Sequence, residues 1–412
     1  MIKIQISKTL QGKIRKGYPW VFKYHMQNQI PDGSQEHLGV IYDHNNRFLA
    51  VGLWDPCSDL CFRVLNLGNP REINGCFFLE RLRSAKIIRK ELENQGTTGY
   101  RVINGESDGF PGLVLDRYED TLVLKLYTTS WFPFLDDLCE LFQKEFQSRQ
   151  VVLRLAQNVG KSLESGSTYR DGQILYGHGN SSWVQFKENG LKFAADVVAR
   201  QKTGFFLDQR ENRLKIGEMA IGRSVLNVFS YSGGFSVYAF AGGCKSVVEV
   251  DCNPFALETS LRNMKLNFPE KSFPAEIFVQ KEGDAFQMLE QLKSEKWFFD
   301  LVILDPPAFA RKKKHKTQAL EAYTRLVQAG ASVTSGVLFA ASCSVHVPTN
   351  EFYDAVYLGI RSAGKKFEEI ARTGHAQDHP AMFPEAFYLK SIYVKAMMDK
   401  FEIRNLGVKS IN

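Results

Sequence analysis

A carboxylate in a rigid turn is the sharpest chemical feature of this sequence. The hydrophobic run 301–304 predicts a buried strand, and Asp305, Pro306 and Pro307 follow it directly. Proline fixes its own backbone, restricts the residue before it and donates no backbone hydrogen bond. The two prolines therefore predict an extended turn that fixes the Asp305 carboxylate at the edge of a sheet, where it can bind a polar atom of a ligand.

The thiol of Cys343, which follows the predicted strand 337–341, is a second reactive group. A lone cysteine is usually a buried packing residue. This one lies among small residues, at a strand end that would share a crevice with Asp305. We therefore predict that Cys343 is a nucleophile in its thiolate form, which is the reactive form of cysteine, and that Cys343 and Asp305 are the catalytic pair.

The predicted strand 225–229 runs into a Gly-rich turn that suits a small cofactor. Glycine lets the backbone approach a ligand closely and turn into a helix. The turn lacks the G-x-G-x-x-G pattern of dinucleotide-binding proteins, and a tight turn without a ligand explains it equally well. The candidate cofactor-binding residues at this turn and the Asp-Pro-Pro turn are Asn227, Phe229, Ser230, Gly233, Gly234, Asp305 and Pro306.

Acidic residues end the next two predicted strands. Asp251 follows the Gly-rich turn by about 20 residues, the spacing at which an acid commonly binds ribose hydroxyls; a solvated acid is the alternative. Asp284 could reach an adenine amino group, cap the N-terminus of the following helix, or do both.

These residues lie in a region where strands and helices alternate, which predicts a mostly parallel, doubly wound α/β sheet with ligands at the carboxyl ends of its strands. The last two strands, 366–371 and 391–396, are joined by a loop and are expected to pair antiparallel at one edge. The other expected strands are 225–229, 246–250, 277–279, 301–304 and 337–341, and the expected helices are 234–241, 254–267, 285–293 and 317–332.

The length of 412 residues predicts two or three domains. Residues 1–72 show short strands broken by turns and predict a small β-rich domain. Residues 73–188 combine strands with amphipathic helices at 77–93 and 134–146, which predicts an α+β domain. Residues 189–412 form the α/β domain. A composition of 44% hydrophobic and 24% charged residues argues against disorder and coiled coil.

The net charge of +7 is modest, but it is concentrated in two clusters. Residues 1–31 contain six basic residues and no acid, and residues 311–316 form a second basic run. Two solvated faces would explain both clusters, and so would a nucleic-acid partner. The candidate nucleic-acid-binding residues are Lys13, Arg15, Lys16, Arg311, Lys312, Lys313, Lys314 and Lys316.

Seven cysteines, an odd number without a C-x-x-C pair, argue against a disulfide framework or a zinc site and favour a reducing compartment. Residues 224–244 carry no charge over a length that could span a bilayer. Their glycines, serines and asparagine favour a strand, a turn and a helix instead. We expect a soluble, cytoplasmic protein with no metal and no membrane partner.

The five strand ends occur in the order found in class I S-adenosylmethionine-dependent methyltransferases, which the C-terminal region resembles. Further segments resemble the RlmI family of large-subunit (23S) rRNA cytosine-C5 methyltransferases. The segment 200–213 contains Phe206, Asp208 and Arg210, and the stretches 378–380 and 383–390 lie near the end of the chain. The motif 105–113 resembles the family's central domain, and 16–22 with 47–52 resemble its RNA-binding PUA domain.

The resemblance implies S-adenosylmethionine as cofactor, with Phe206, Asp208 and Arg210 among its ligands, and large-subunit rRNA as partner. It implies a Rossmann-like methyltransferase domain, a central α+β domain and an N-terminal β-barrel. Cys343 would add to C6 of cytosine, which activates C5 for methylation, and Asp305 would bind N3 or N4. The base that removes the C5 proton stays open between water and His379, and the oligomeric state stays open with a homodimer as one option.

Three other functions remain open from the sequence. Asp-Pro-Pro followed by an aromatic residue, here Phe309, also occurs in enzymes that methylate a guanine or adenine nitrogen, a reaction that needs no cysteine. A non-catalytic RNA-binding assembly factor with a relic cofactor site is less consistent with the intact acids and Gly-rich turn. A small-molecule methyltransferase would leave the basic N-terminal region unexplained.

Overall fold

The computed structural model describes residues 1–28, 36–163, 168–177, 182–198, 203–269, 273–310 and 312–397. These residues form two compact units. The first contains the described residues of Met1–Gly190, Ala195–Leu207 and Gln377–Pro384, and the second contains Leu191–Ala194, the described residues of Asp208–Ala376 and those from Glu385 onward.

The first unit begins with a five-stranded sheet in the order β1-β3-β4-β5-β2. A short helix, α1, is capped by the Ser7 side chain, which accepts a hydrogen bond from Leu10 N (3.3 Å). The elements are β1 (Ile2–Ile4), α1 (Lys8–Arg15), β2 (Trp20–Val21), β3 (Leu38–Tyr42), β4 (Phe48–Trp54) and β5 (Phe62–Leu67). Buried side chains of α1 and of these strands share one hydrophobic core.

The same unit holds a second five-stranded sheet, in the order β10-β9-β8-β7-β6, with its own core. The elements are α2 (Gly75–Asn94), β6 (Gly99–Asn104), β7 (Leu113–Tyr118), β8 (Thr121–Leu126), α3 (Leu135–Phe146), β9 (Gln150–Leu155), α4 (Gln157–Ser162) and β10 (Ile174–Tyr176). Two further strands, β11 (Trp183–Glu188) and β12 (Leu191–Asp196), form a two-stranded sheet. The three-domain division at 72 and 188 stays a prediction.

The second unit is a doubly wound α/β fold around a seven-stranded sheet, as the sequence predicts. Its elements are α5 (Arg210–Met219), β13 (Ser224–Val228), α6 (Gly234–Ala241), β14 (Ser246–Asp251), α7 (Pro254–Asn267), β15 (Phe278–Glu282), α8 (Ala285–Ser294), β16 (Phe299–Leu304), α9 (Lys316–Ser332), β17 (Thr334–Ser342), α10 (Thr349–Ser362), β18 (Lys366–Thr373) and β19 (Lys390–Met397).

The strand order of this sheet is β15-β14-β13-β16-β17-β19-β18. The neighbours from β15 to β17 are parallel, and β19 runs antiparallel to both β17 and β18. The expected antiparallel pairing of the last two strands is therefore confirmed. The order reverses direction between β13 and β16, and doubly wound sheets bind ligands at that point.

Four helices, α1, α4, α5 and α10, are absent from the sequence-based expectations. Gly12 in the middle of α1 lowers its helical propensity, and the helix depends on its cap and on burial of Leu10 and Ile14. Residues 224–244 form β13, a turn and α6, as expected. No helix within the described residues is both long and apolar enough to cross a membrane.

A buried ion pair between Arg89 and Asp108 lies in the first unit, and its removal tests how much it stabilises the fold. Arg89 and Asp108 are both 1% exposed, and two guanidinium nitrogens donate to the two carboxylate oxygens (2.8 and 2.6 Å). Removing one partner leaves a buried charge unpaired. We expect Asp108→Ala to lower the free energy of unfolding in urea by about 3–5 kcal/mol.

The control is Glu80→Ala, which removes the carboxylate of the Arg71–Glu80 pair (2.7 Å) in solvent. Water screens such pairs, so this variant should lose far less stability. Equal losses in the two variants would contradict the structural importance of the buried pair.

Candidate active site

The register of the parallel strands aligns all five predicted strand ends. Val228, the last residue of β13, pairs with Val250 on one side and with Leu304 on the other. Leu304 in turn pairs with Ala340. The residues that follow these positions therefore emerge along one edge of the sheet, so that Asp305 and Cys343 leave adjacent strands at the same edge.

The turn after β13 has an unusual backbone. Phe229 and Tyr231 have φ values of 62° and 49°, in the left-handed region that few residues other than glycine adopt. The Asp251 carboxylate at the end of β14 braces this turn, since its Oδ2 accepts from Tyr231 N (2.8 Å) and its Oδ1 from Asn253 N (2.9 Å). Each carboxylate oxygen has a second acceptor position, so a contact with ribose hydroxyls stays a prediction for Asp251.

A buried carboxylate, Glu249, supports the same turn from below. It is 0% exposed and accepts hydrogen bonds from Ser260 Oγ (2.6 Å) and Gln280 Nε2 (2.9 Å). Burial raises the pKa of Glu249 above its usual value. A Cβ on Gly233 (φ 73°) would lie 1.9 Å from Ser260 Oγ, so only glycine fits there. The sequence feature that could have identified Glu249 is its position as an acidic residue inside an otherwise hydrophobic strand.

Unsatisfied polar atoms at this turn fit the polar end of an amino-acid-bearing cofactor. Among the described residues, Ser230 Oγ and Asn227 Oδ1 are buried without a hydrogen-bond partner. Helix α6 begins after Gly233, which has no side chain to cap the first amides. Free amides at a helix N-terminus favour a carboxylate. Gly234 is the first residue of α6.

Asp284 caps α8 in the structure. Its Oδ1 accepts from Phe286 N (3.0 Å) and Gln287 N (3.1 Å). The capping role is therefore present, and the side chain is exposed at the edge where β15 ends. Contact with a cofactor stays a prediction for this residue.

The Asp305 carboxylate is oriented by a residue that sequence reasoning left unassigned. Gln209 Nε2 donates to Asp305 Oδ1 (2.9 Å), and Gln209 Oε1 accepts from Asn212 Nδ2 (2.6 Å). The second bond fixes which end of the Gln209 amide faces the carboxylate. Asp305 is half-buried and Pro306 is buried. The sequence does not show that Gln209, rather than its neighbours Asp208 and Arg210, contacts Asp305, because consecutive residues of one turn point in different directions.

The turn that carries Cys343 is connected to the Asp305 turn through α9. Tyr323 OH accepts from Ser342 Oγ (2.8 Å) and lies 3.1 Å from Ser344 Oγ. Its ring packs on Phe309, with centroids 4.8 Å apart. Burial raises the pKa of the Tyr323 phenol, which keeps it neutral. Cys343 itself is half-buried.

The three cofactor-binding residues implied before α5 have different surroundings. Asp208 is buried and its Oδ2 accepts from Tyr388 OH (2.7 Å). Arg210 is buried and pairs with Glu211 (2.9 Å). Phe206 is half-buried and belongs to the first unit. His379 also belongs to the first unit, where its Nδ1 lies 3.0 Å from Asp378 Oδ1. The roles of these four residues stay predictions.

The candidate RNA-binding residues differ in whether their side chains are exposed or form ion pairs. Lys13 and Lys16 are exposed at the end of α1, whereas Arg15 pairs with Asp43 (2.7 Å). Lys316 pairs with Glu351 (2.8 Å). Arg311 lies outside the described residues. The exposed residues of the second cluster are Lys312, Lys313 and Lys314.

Within the described residues, no group of three or more His, Cys, Asp or Glu side chains is arranged to hold a metal ion.

Comparisons with known proteins agree with this geometry. Residues 149–350 match the model of an S-adenosylmethionine-dependent methyltransferase family, and residues 4–67 match a PUA-like domain. A ribosomal RNA large subunit methyltransferase of Deinococcus radiodurans is 42% identical over 96% of this chain and 97% of its own length. A ribosomal RNA large subunit methyltransferase I of Photobacterium profundum is 34% identical over 95% and 99%.

Two solved structures show the same fold. A putative methyltransferase from Streptococcus mutans has a TM-score of 0.81 at 21% identity and covers 96% of this chain and 100% of its own. A second putative methyltransferase, solved with S-adenosylhomocysteine, has a TM-score of 0.81 at 22% identity and the same coverage.

A substitution at Gly233, where the packing is close, tests the proposed cofactor site. We expect Gly233→Ala to weaken binding of S-adenosylmethionine at least tenfold, because the new methyl group must displace Ser260 and with it the turn after β13. Calorimetric titration measures the affinity, and thermal unfolding measures the accompanying loss of stability.

Gly243→Ala is the matched control. Gly243 also has a left-handed backbone (φ 80°), but the nearest atom to its Cβ position is 3.9 Å away. Both variants carry the backbone cost of about 1–2 kcal/mol, and only Gly233→Ala should lose affinity. Unchanged affinity in Gly233→Ala would show that the cofactor does not depend on this turn.

Proposed function

The chain belongs to the RlmI family of ribosomal RNA large subunit methyltransferases, and on that basis we propose that it forms 5-methylcytosine in large-subunit (23S) rRNA, with S-adenosylmethionine as the methyl donor. The observation that supports the cytosine-C5 reaction is the placement of Cys343 and Asp305 at the ends of adjacent strands, β17 and β16. A base nitrogen could be methylated without a thiol, whereas C5 of cytosine needs activation.

Cys343 supplies this activation by covalent catalysis. Its thiolate adds to C6 of the cytosine, which places electron density on C5 through an enamine. The bound cofactor supplies an electrophilic methyl group on its sulfonium. Loss of the C5 proton then lets the C6–S bond break, which restores the aromatic ring and the thiolate. The proton acceptor for this last step stays open between water and His379.

Asp305 binds the edge of the same base. Negative charge develops on the ring as the thiolate adds, and a carboxyl group that shares a proton with N3 or N4 stabilises that charge. The hydrogen bond from Gln209 Nε2 to Asp305 Oδ1 holds the carboxyl group in one orientation. Gln209 therefore orients the carboxyl group without contacting the substrate.

The cofactor is held by residues along the edge of the sheet. The proposed ligands are Ser230 and Asn227, the α6 amides at Gly233 and Gly234, and the Asp251 and Asp284 carboxylates. The backbone of Phe229 and Pro306 would line the site, and Phe206, Asp208 and Arg210 complete the set implied by the family. Support comes from the unpartnered Ser230 Oγ and Asn227 Oδ1.

Two surfaces are proposed for the RNA. The PUA-like region contributes Lys13, Arg15 and Lys16, and the segment after the Asp-Pro-Pro turn contributes Arg311, Lys312, Lys313, Lys314 and Lys316. The target base must be unstacked to reach Cys343. None of the seven cysteines, all of which lie in the described part of the chain, forms a disulfide, which agrees with the proposed reducing cytoplasm. A homodimer stays a prediction that light scattering can test.

Replacement of the nucleophile tests the reaction. We expect Cys343→Ala to reduce 5-methylcytidine formation in undermodified rRNA to background, because C5 is not activated without the thiolate. Nucleoside mass spectrometry after incubation with labelled cofactor measures the product. Cys76→Ala, at an exposed position of α2, is the control and should retain full activity. Full activity of Cys343→Ala, or 7-methylguanosine as the product, would overturn the proposed reaction.

Removal of three exposed charges tests the RNA surface. Replacement of Lys312, Lys313 and Lys314 by Gln should reduce the slope of log affinity against log salt by about two, since each phosphate contact contributes about 0.7–0.9. Fluorescence anisotropy with an rRNA fragment measures the slope. The control replaces Lys245, Lys366 and Lys395, which are exposed elsewhere in the same unit. Equal slopes for the two triple variants would place the RNA elsewhere.

A further inference from the structure

A buried lysine, Lys390, lies beside the proposed nucleophile. It is the first residue of β19 and is 3% exposed. The antiparallel register pairs it with Ser342, the residue before Cys343. Its ammonium group donates to the carbonyl of Ser344, the residue after Cys343, and to the carbonyl of Val347 (2.6 Å). Lys390 therefore contacts the chain on both sides of Cys343.

A lysine at this depth needs a reason, because lysine is almost never fully buried unless its charge is paired. The two carbonyl contacts satisfy two of its three N–H donors, but they do not neutralise its charge. No ion pair to a carboxylate is formed by Lys390 among the described residues. The charged group that interacts with it electrostatically is the Cys343 thiolate.

We propose that Lys390 is a positioning residue that stabilises the thiolate of Cys343 and holds the turn that carries it. This inference rests on the proposed role of Cys343 and adds a residue to it. The thiol loses its proton to water, and Lys390 keeps its own three. When the sulfur bonds to C6, the negative charge moves into the ring, so no proton transfer at Lys390 is required.

Electrostatics at the turn support this role. Burial lowers the pKa of Lys390 to about 8, and the Cys343 thiolate acts in the opposite direction. Lys390 is therefore largely charged near pH 7. Tyr323 on α9 also interacts with Cys343, and burial keeps its phenol neutral. Lys390 on β19 therefore brings a positive charge to this turn.

Lys390→Gln separates charge from hydrogen bonding, because the Gln amide is a neutral donor that can still bond a carbonyl. The rate of Cys343 alkylation by iodoacetamide is measured from pH 5 to 10 by peptide mass spectrometry, since only the thiolate reacts. We expect the midpoint of the profile to rise by at least one pH unit, which makes alkylation about tenfold slower at pH values below both midpoints. A residue that merely held the turn would not move this midpoint.

Lys395→Gln is the matched control, since it removes the same charge from an exposed position of β19 and should leave the profile unchanged. In methylation assays, Lys390→Gln should lower kcat and leave the KM for rRNA unchanged. A folded Lys390→Gln protein with an unshifted midpoint would overturn the inference.

The wild-type protein provides a second measurement if Lys390→Gln fails to fold. Exposed Cys57 and Cys252 are alkylated in the same sample and act as internal references. The Cys343 midpoint should lie below both of theirs, and a midpoint at or above them would contradict activation by Lys390. A shifted midpoint together with full methylation by Cys343→Ala would instead uphold the role of Lys390 and reject that of Cys343.

Discussion

The buried parallel sheet of the second unit constrains where its chemistry can occur. Strands β13, β14, β16 and β17 are covered on both faces, so their interiors must be apolar or internally hydrogen-bonded. Polar residues can meet a ligand only where a strand ends. In-register parallel pairing brings those ends to one edge, and the reversal of strand order between β13 and β16 opens that edge to a ligand. The cofactor turn, Asp305 and Cys343 all depend on this alignment.

This constraint explains which parts of the site could be predicted from sequence. Asp305 and Cys343 could be selected from the sequence because each belongs to a local pattern. Asp305 lies between a hydrophobic run and two prolines, Pro306 and Pro307, and Cys343 lies among small residues after a hydrophobic run. The mostly parallel sheet could be predicted because strands and helices alternate along the chain. The roles of three other residues could not be predicted, since their partners come near only in the tertiary structure. Glu249 meets Ser260 on α7, Gln209 meets Asp305 after β16, and Lys390 meets the carbonyl of Ser344 after β17.

Lys390 shows most clearly which contacts cannot be predicted from the sequence. It lies 47 residues after Cys343 in the chain, and the intervening segment contains α10, β18 and a long loop. Its proximity follows from the insertion of β19 between β17 and β18. An antiparallel strand at this place runs opposite to its neighbours, so its first residue, rather than its last, lies at the edge where β17 ends. The sequence predicts the pairing of β18 with β19, but not that of β19 with β17.

The polar groups under the turns of Asp305 and Cys343 also suit the chemistry proposed for these two turns. A thiolate that attacks a ring and a carboxyl group that binds the same ring need fixed relative positions. Tyr323 provides this through its bonds to Ser342 and Ser344 and its packing on Phe309. An apolar residue at position 323 would pack as well but would leave those hydroxyls unsatisfied. The buried phenol and the buried ammonium therefore hold the nucleophile's turn from α9 and from β19, and only the ammonium adds charge.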